Sequence, residues 1–224
     1  MTTPGDIVLV HGLWMHGWVF ALQRRRLQRR GWRTHAFSYR SVRGTLDGAA
    51  DALAEFVAAL GGGPVYLLGH SLGGLVVLDM LARRRPPQVA RAVLLGAPCL
   101  GSHSAAVLLR LPLLRGLVGC GLAQWLARPL PQVDSAVDIG TIAGNRPLGS
   151  GRLLPGLPMP NDGMVAVSET RWPGARDHIV LPVTHTQMLV SRSCLEQAQH
   201  FLLTGAFDHR AAGPRRPDLC RSTP

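Results

Sequence analysis

The chain has 224 residues, of which 46% are apolar and 17% charged, enough apolar material for one substantial core and a poor match to a disordered chain, a coiled coil or a charge-driven scaffold. Its net charge of +11 raises nucleic acid as a partner, but every one of the 24 basic residues is arginine. They gather as Arg24, Arg25, Arg26, Arg29 and Arg30 on one predicted helix, Arg83 to Arg85 at a helix end, and Arg215 and Arg216 in a Pro-rich stretch. Solvated helix faces and dipole-complementing helix ends account for that pattern, so no nucleic-acid partner is expected.

A first strand is predicted at Ile7 to Val10, followed by His11-Gly12-Leu13-Trp14 and an amphipathic helix from Gly17 to Arg30 that Gly31 ends. Arg33 to Tyr39 reads as a strand and Leu46 to Leu60 as a helix started by Thr45. Gly61-Gly62-Gly63-Pro64 then breaks the chain before a strand at Val65 to Leu68. The link Gly69-His70-Ser71-Leu72-Gly73-Gly74 opens a helix to about Arg84, which Pro86-Pro87 closes ahead of a strand at Ala92 to Leu95. Short βα units of this kind predict an α/β fold: a mostly parallel open sheet with helices on both faces.

After Gly96-Ala97-Pro98 the strand signal stops, and the Leu-rich stretch from Gly101 to Arg128 reads as helical, making 101–136 a cap or lid insertion. Strand character returns at Val137 to Ala143, a Pro/Gly-rich connection leads to Asn161-Asp162-Gly163, and His178 to Val183 is the last strand. Gln187 to Leu203 is the closing helix of a single domain, 1–205, with 206–224 expected to be a flexible tail.

Cys99, Cys120, Cys194 and Cys220 show no C-x-x-C pair and no histidine at ligand spacing, so no metal site is legible. Met1 to Val10 lacks the features of a secretory signal, giving a cytoplasmic expectation. The tract Ala105 to Leu130 is interrupted by Arg110, Pro112, Arg115 and Arg128, so it does not read as a spanning helix. It retains the composition of a surface that touches lipid, with leucines for the acyl region and arginines for anionic headgroups.

The segment Gly69-His70-Ser71-Leu72-Gly73 matches G-x-S-x-G between a predicted strand and a predicted helix, the setting in which that pattern carries information. A turn this tight forces the serine into a strained backbone and demands small residues two before and two after it. The alternative is a Gly-rich turn in which Ser71 merely caps a helix. A serine hydroxyl near neutrality needs a base, and the base needs an orienting acid. His185 leaves the carboxyl end of the last strand, the edge where parallel sheets assemble sites, whereas His178 starts that strand, His200 lies inside the closing helix and His209 beyond it. Asp162, 23 residues before His185, is the favoured acid and Glu169 its rival. Asp138 and Asp177 begin strands at the wrong edge, and Asp134 falls at the cap exit. Gly12 permits a close loop from which the Leu13 amide, with that of Leu72, can meet an oxyanion; such donors are worth about 3 to 4 kcal/mol each in comparable hydrolases. Trp14 and Trp18, with Leu13 and the Leu-rich stretch, are the candidates for an acyl pocket.

From Ile7 to about Leu203 the sequence resembles the α/β-hydrolase fold superfamily, and within it the small serine esterases and lipases. Val8-Leu9-Val10-His11-Gly12 is similar to the family's oxyanion loop, Gly69 to Gly74 to its nucleophile elbow, and Gly96-Ala97-Pro98 to a strand end often spelled Gly-Thr-Pro in lipases. The resemblance implies a triad of Ser71, Asp162 and His185, an acyl-enzyme on Ser71, no cofactor, and a small-molecule or lipid ester as substrate; the apolar pocket candidates add the expectation of a medium-chain carboxylic ester. The same scaffold also hosts acyltransferases and thioesterases, and a non-catalytic binding protein is the reading from another class.

Overall fold

The computed structural model describes residues 4–84, 86–133, 136–149 and 156–211. Six strands, β1 (Asp6–Val10), β2 (Arg33–Phe37), β3 (Val65–His70), β4 (Val89–Leu95), β5 (Asp138–Gly144) and β6 (Asp177–Leu181), form one sheet in the order β2-β1-β3-β4-β5-β6, every pair parallel. Because β2 lies on one side of β1 and β3 on the other, the chain reverses its direction of winding at β1. The loops leaving β1 and β3 therefore part at their carboxyl ends and leave a crevice between them, the usual place for a site in an open parallel sheet.

Alternation along each strand feeds two cores. Val8, Val10, Leu67 and Leu94 pack with α2 (Leu46–Ala58) and α3 (Leu72–Arg83) on one face. Ile7, Leu9, Leu68 and Val93 pack with α1 (Ala21–Gln28) and α6 (Arg192–Thr204) on the other. The Thr45 hydroxyl caps α2 by accepting from the Gly48 amide at 3.1 Å, and Ser191 caps α6 from Cys194 at 3.3 Å. Among the described residues no helix is long and apolar enough to cross a membrane.

Several expected elements are shorter or divided. The helix expected over 17–30 is a 3-10 turn, Gly17–Phe20, followed by α1. Gly17 lies so close to Ala36 that a Cβ there would meet the Ala36 methyl at 2.9 Å, and Phe20 is fully buried beneath the turn. β2 stops at Phe37 because Tyr39 leaves the sheet to hold His11. The closing helix begins only at Arg192, after a separate 3-10 turn, Thr186–Leu189, that starts immediately past His185.

Between β4 and β5 the Leu-rich stretch forms α4 (His103–Leu109), a 3-10 turn at Arg115–Leu117, and α5 (Cys120–Leu126). It is secured at both ends. The Ser104 hydroxyl donates to the Met164 carbonyl at 2.6 Å, the buried Trp125 indole to Cys99 at 3.1 Å, and the Cys120 amide to Val42 at 2.9 Å. Asp134 and most of the Pro/Gly-rich connection's centre lie outside the described residues.

Residues 206–211, expected to belong to a flexible tail, are held against the domain. Phe207 is buried against Phe201 with ring centroids 4.8 Å apart, filling space left by Gly140, and its amide donates to Asp177 at 2.8 Å. Gln197 and Asp208 exchange two further hydrogen bonds at 2.8 and 2.9 Å. Phe207 and these hydrogen bonds together dock 206–211; residues 212–224 lie outside the described set. Phe207→Ala is expected to lower urea-denaturation stability by about 3 kcal/mol through the cavity it leaves. A loss below about 0.5 kcal/mol, typical of a surface residue, would contradict this docking.

Candidate active site

Ser71 stands between β3 and α3 with φ +54° and ψ −123°, one of two non-glycine residues with positive φ among those described. An L side chain in that region is strained. The strain is held by the Ser71 amide donating to the Leu95 carbonyl at 2.8 Å and by the Gly74 amide donating to the Ser71 carbonyl at 2.9 Å. Close approach makes glycine obligatory around it. A Cβ on Gly73 would collide with the Val10 and His11 carbonyl oxygens, and one on Gly69 would stand 2.7 Å from the Gly74 Cα. The elbow therefore lies directly against the loop leaving β1. A Cβ on Gly12 would in turn be 3.1 Å from the Ser71 Cβ.

Asp162 and His185 are joined twice. The His185 imidazole meets the Asp162 carboxylate through Nδ1 and Oδ2 at 2.7 Å, and the His185 amide donates to the Asp162 carbonyl at 2.8 Å. The other carboxylate oxygen accepts from the Met164 and Val165 amides at 2.9 and 2.7 Å. These bonds turn the Asn-Asp-Gly segment back on itself and leave the aspartate no freedom to rotate. Asp162 is fully buried, whereas the His185 side chain keeps 12% of its surface open. Nδ1 facing a carboxylate selects the tautomer whose Nε2 carries the lone pair. Gly96, with φ +56°, sits beneath the pair, its missing Cβ 3.1 Å from both the Asp162 Oδ2 and the His185 Nδ1.

Glu169 is engaged elsewhere: one carboxylate oxygen accepts from the Ala166 amide at 2.8 Å and the other from the His103 amide at the start of α4. Burial pushes its carboxyl above the usual range, the two amide bonds opposing that rise. His178 bonds to Thr141 and His209 to Asp177, while His200, in the last turns of α6, bonds to the Ala206 carbonyl just past its end.

The loop after β1 is fixed through His11. Its buried ring stacks on Tyr39 with centroids 4.6 Å apart, donates from Nδ1 to the Gly12 carbonyl at 2.9 Å and accepts the Tyr39 amide at 3.3 Å, while the Tyr39 hydroxyl donates to the His11 carbonyl at 2.9 Å. Burial lowers the His11 pKa, consistent with a neutral ring that both donates and accepts. The Leu13 and Leu72 amides beside this loop have no acceptor among the described residues. Trp14 and Trp18 do not wall an enclosed pocket: they are 60% and 75% exposed. The 3-10 turn buries Gly17 and Phe20 on one face and so points Trp18 outward, and Trp14, at φ +59°, donates its indole N–H to the Leu117 carbonyl at 2.9 Å. Leu13 instead reaches inward under the insertion, against Gly119.

The profile of the alpha/beta hydrolase family matches residues 7–218. The chain belongs to that family. Among curated relatives, a phospholipase of Bacillus subtilis, YtpA, is 47% identical over 38 residues, 17% of this chain and 14% of that protein. A lipase of Mycobacterium tuberculosis, LipV, is 49% identical over 51 residues, 23% of this chain and 19% of that one. The matches thus span less than a fifth of either relative. The mature form of the Bacillus licheniformis lipase BlEst2 shares the fold with TM-score 0.63 and 19% identity over 82% of this chain and 86% of that one. The parallel sheet, the elbow after β3 and the loops at the carboxyl edge are the alpha/beta hydrolase arrangement in this chain.

His70, read from its place beside Ser71 as a loop-positioning residue, bonds to the loop of His185. The His70 ring is fully buried and donates from Nε2 to the His185 carbonyl at 3.1 Å, with the two imidazoles 4.8 Å apart. It ties the residue before Ser71 to the loop of His185, while its buried Nδ1 has no partner among the described residues. Burial above all, with the neighbouring His185 ring adding to it, pushes the His70 imidazole from near 6.5 to about 3. A folded-state pKa below the unfolded one gives stability that is present above about pH 6.5 and is lost as pH falls toward 3, because the unfolded chain takes the proton first. Urea titrations between about pH 6 and 4 should show stability falling by about 1 kcal/mol per pH unit more steeply in the native protein than in His70→Gln, which keeps a donor. Equal slopes would contradict a buried neutral His70.

Proposed function

We propose that the protein is a serine hydrolase of carboxylic esters, acting through an acyl-enzyme on Ser71. The observation that carries this reading is the 2.7 Å contact between His185 and the buried Asp162, in a loop that His70 ties to the strained serine. In the proposed cycle Ser71 Oγ attacks the ester carbonyl carbon and its proton passes to His185 Nε2. The tetrahedral oxyanion takes the free Leu13 and Leu72 amides as donors. Collapse breaks the acyl–oxygen bond, and His185 returns the proton to the departing alcohol. Water, deprotonated by the same imidazole, then releases the acid. Asp162 keeps the imidazole in its working tautomer and stabilises it when protonated.

The acyl group fits this side of the sheet best if it is apolar, because Leu13 and, from the insertion, Leu108, Ala123 and Leu126 pack as hydrocarbon against the core beside the β1 loop. We take that insertion as a cap. Its ties to the β1 loop through Trp14 and Leu117, and to the Asp162 turn through Ser104 and Met164, support that reading. The names of the relatives, phospholipase and lipase, agree with an ester substrate.

A fluorophosphonate should label the native protein and leave Ser71→Ala unlabelled. Asp162→Asn should lower kcat on a nitrophenyl ester by about 10⁴-fold with little change in KM, the loss expected when the wrong tautomer is selected. Labelling of Ser71→Ala, or an Asp162→Asn enzyme within about tenfold of native, would overturn the assignment.

A further inference from the structure

Residues 109–117, Leu-Arg-Leu-Pro-Leu-Leu-Arg-Gly-Leu, are exposed without a break. Five of the nine are leucines, and Leu113 is 97% exposed. Such a run is unusual on a water-facing surface, where large contiguous apolar patches mark contact sites. Beside it stands the exposed indole of Trp14, held to Leu117 by its 2.9 Å hydrogen bond. Tryptophan with one polar and one apolar edge is suited to the boundary between headgroups and acyl chains.

The charge around the run points to one kind of partner. Arg110 and Arg115 lie within it, and neither has an ion pair among the described residues. The sequence carries no carboxylate between Asp79 and Asp134, nor between Asp6 and Asp47, the two stretches that hold the run and Trp14, and the carboxylates of the 156–170 segment that meets α4, Asp162 and Glu169, are occupied by His185 and by backbone amides. Asp47, where α2 meets the end of α5, is neutralised by Arg83 and Arg128. The flanks of the run are also fixed: Val118 and Trp125 are buried and Cys120 is bonded to Val42. The leucines are therefore already presented outward and no opening movement is required to expose them.

We propose that 109–117 with Trp14 is a preformed docking plate for a negatively charged lipid surface, its leucines entering the acyl boundary and Arg110 and Arg115 meeting phosphate headgroups. This goes beyond ester hydrolysis and stands or falls separately from it, since binding is measured on the full chain carrying Ser71→Ala. Co-sedimentation with vesicles of phosphatidylcholine alone and with 30% phosphatidylglycerol should give about tenfold stronger binding to the anionic vesicles at low salt. Leu113→Asp, at a site too exposed to disturb folding, should weaken that binding about tenfold or more. Arg110→Glu with Arg115→Glu should remove the preference for phosphatidylglycerol. In the Ser71 background both variants should hydrolyse a short soluble nitrophenyl ester at the native rate. Equal sedimentation of native and Leu113→Asp chains would overturn the proposal, as would a concentration-dependent dimer that Leu113→Asp dissolves, which would make a second copy the occupant.

Discussion

The arrangement depends on the double connection between Asp162 and His185, side chain to side chain and backbone to backbone, at 2.7 and 2.8 Å. The two residues leave different strands: Asp162 lies on the connection after β5 and His185 just past β6. The connection holds only while those strands stay in register, Ala143 beside Val180 and Gly144 beside Leu181. Gly144 is needed there, since a side chain on it would strike the Val183 carbonyl and the Asp162 Cβ. The sheet thus fixes the imidazole to within the tolerance of a hydrogen bond, and the aspartate, saturated by two backbone amides, has no other position to occupy.

Around that pair the chain solves a crowding problem with absent side chains. Gly12, Gly69, Gly73 and Gly96 let three loops, from β1, β3 and β4, converge at the point where the winding reverses. The cost is the left-handed backbone of Ser71, of order 1–3 kcal/mol for a strained residue, offset by the buried run Leu72 to Leu81 of α3, whose Leu75, Val76, Val77 and Leu78 are inaccessible to solvent. The same crowding buries His70 and His11 beside the site, and that burial lowers the pKa of both imidazoles.

The readable parts were those whose physical demands are local. A strained serine with glycine two residues to either side is a five-residue requirement, and it stands in the chain as Gly69 to Gly73. Strand ends gave the edge on which Asp162 and His185 lie, because alternation and breakers mark where a parallel strand stops. What could not be read depends on partners far away in sequence. Glu169 spends its carboxylate on the His103 amide 66 residues earlier, a role its position three after Ala166 hints at only as a helix-start acceptor. The outward turn of Trp18 follows from a 3-10 geometry that an amphipathic pattern read with an α-helical period cannot distinguish. Phe207 is inconspicuous in a polar stretch because its pocket is made by Gly140 on β5 and Phe201 on α6.

The Asp162 to His185 hydrogen bond is tested most directly by proton NMR of the imidazole Nδ1–H. A proton shared with a buried carboxylate over 2.7 Å should resonate downfield of all amide protons, persist in Ser71→Ala, and vanish or move sharply upfield in Asp162→Asn. A downfield resonance unchanged in Asp162→Asn, or its absence from the native protein at low temperature while the rest of the spectrum is well dispersed, would contradict the account.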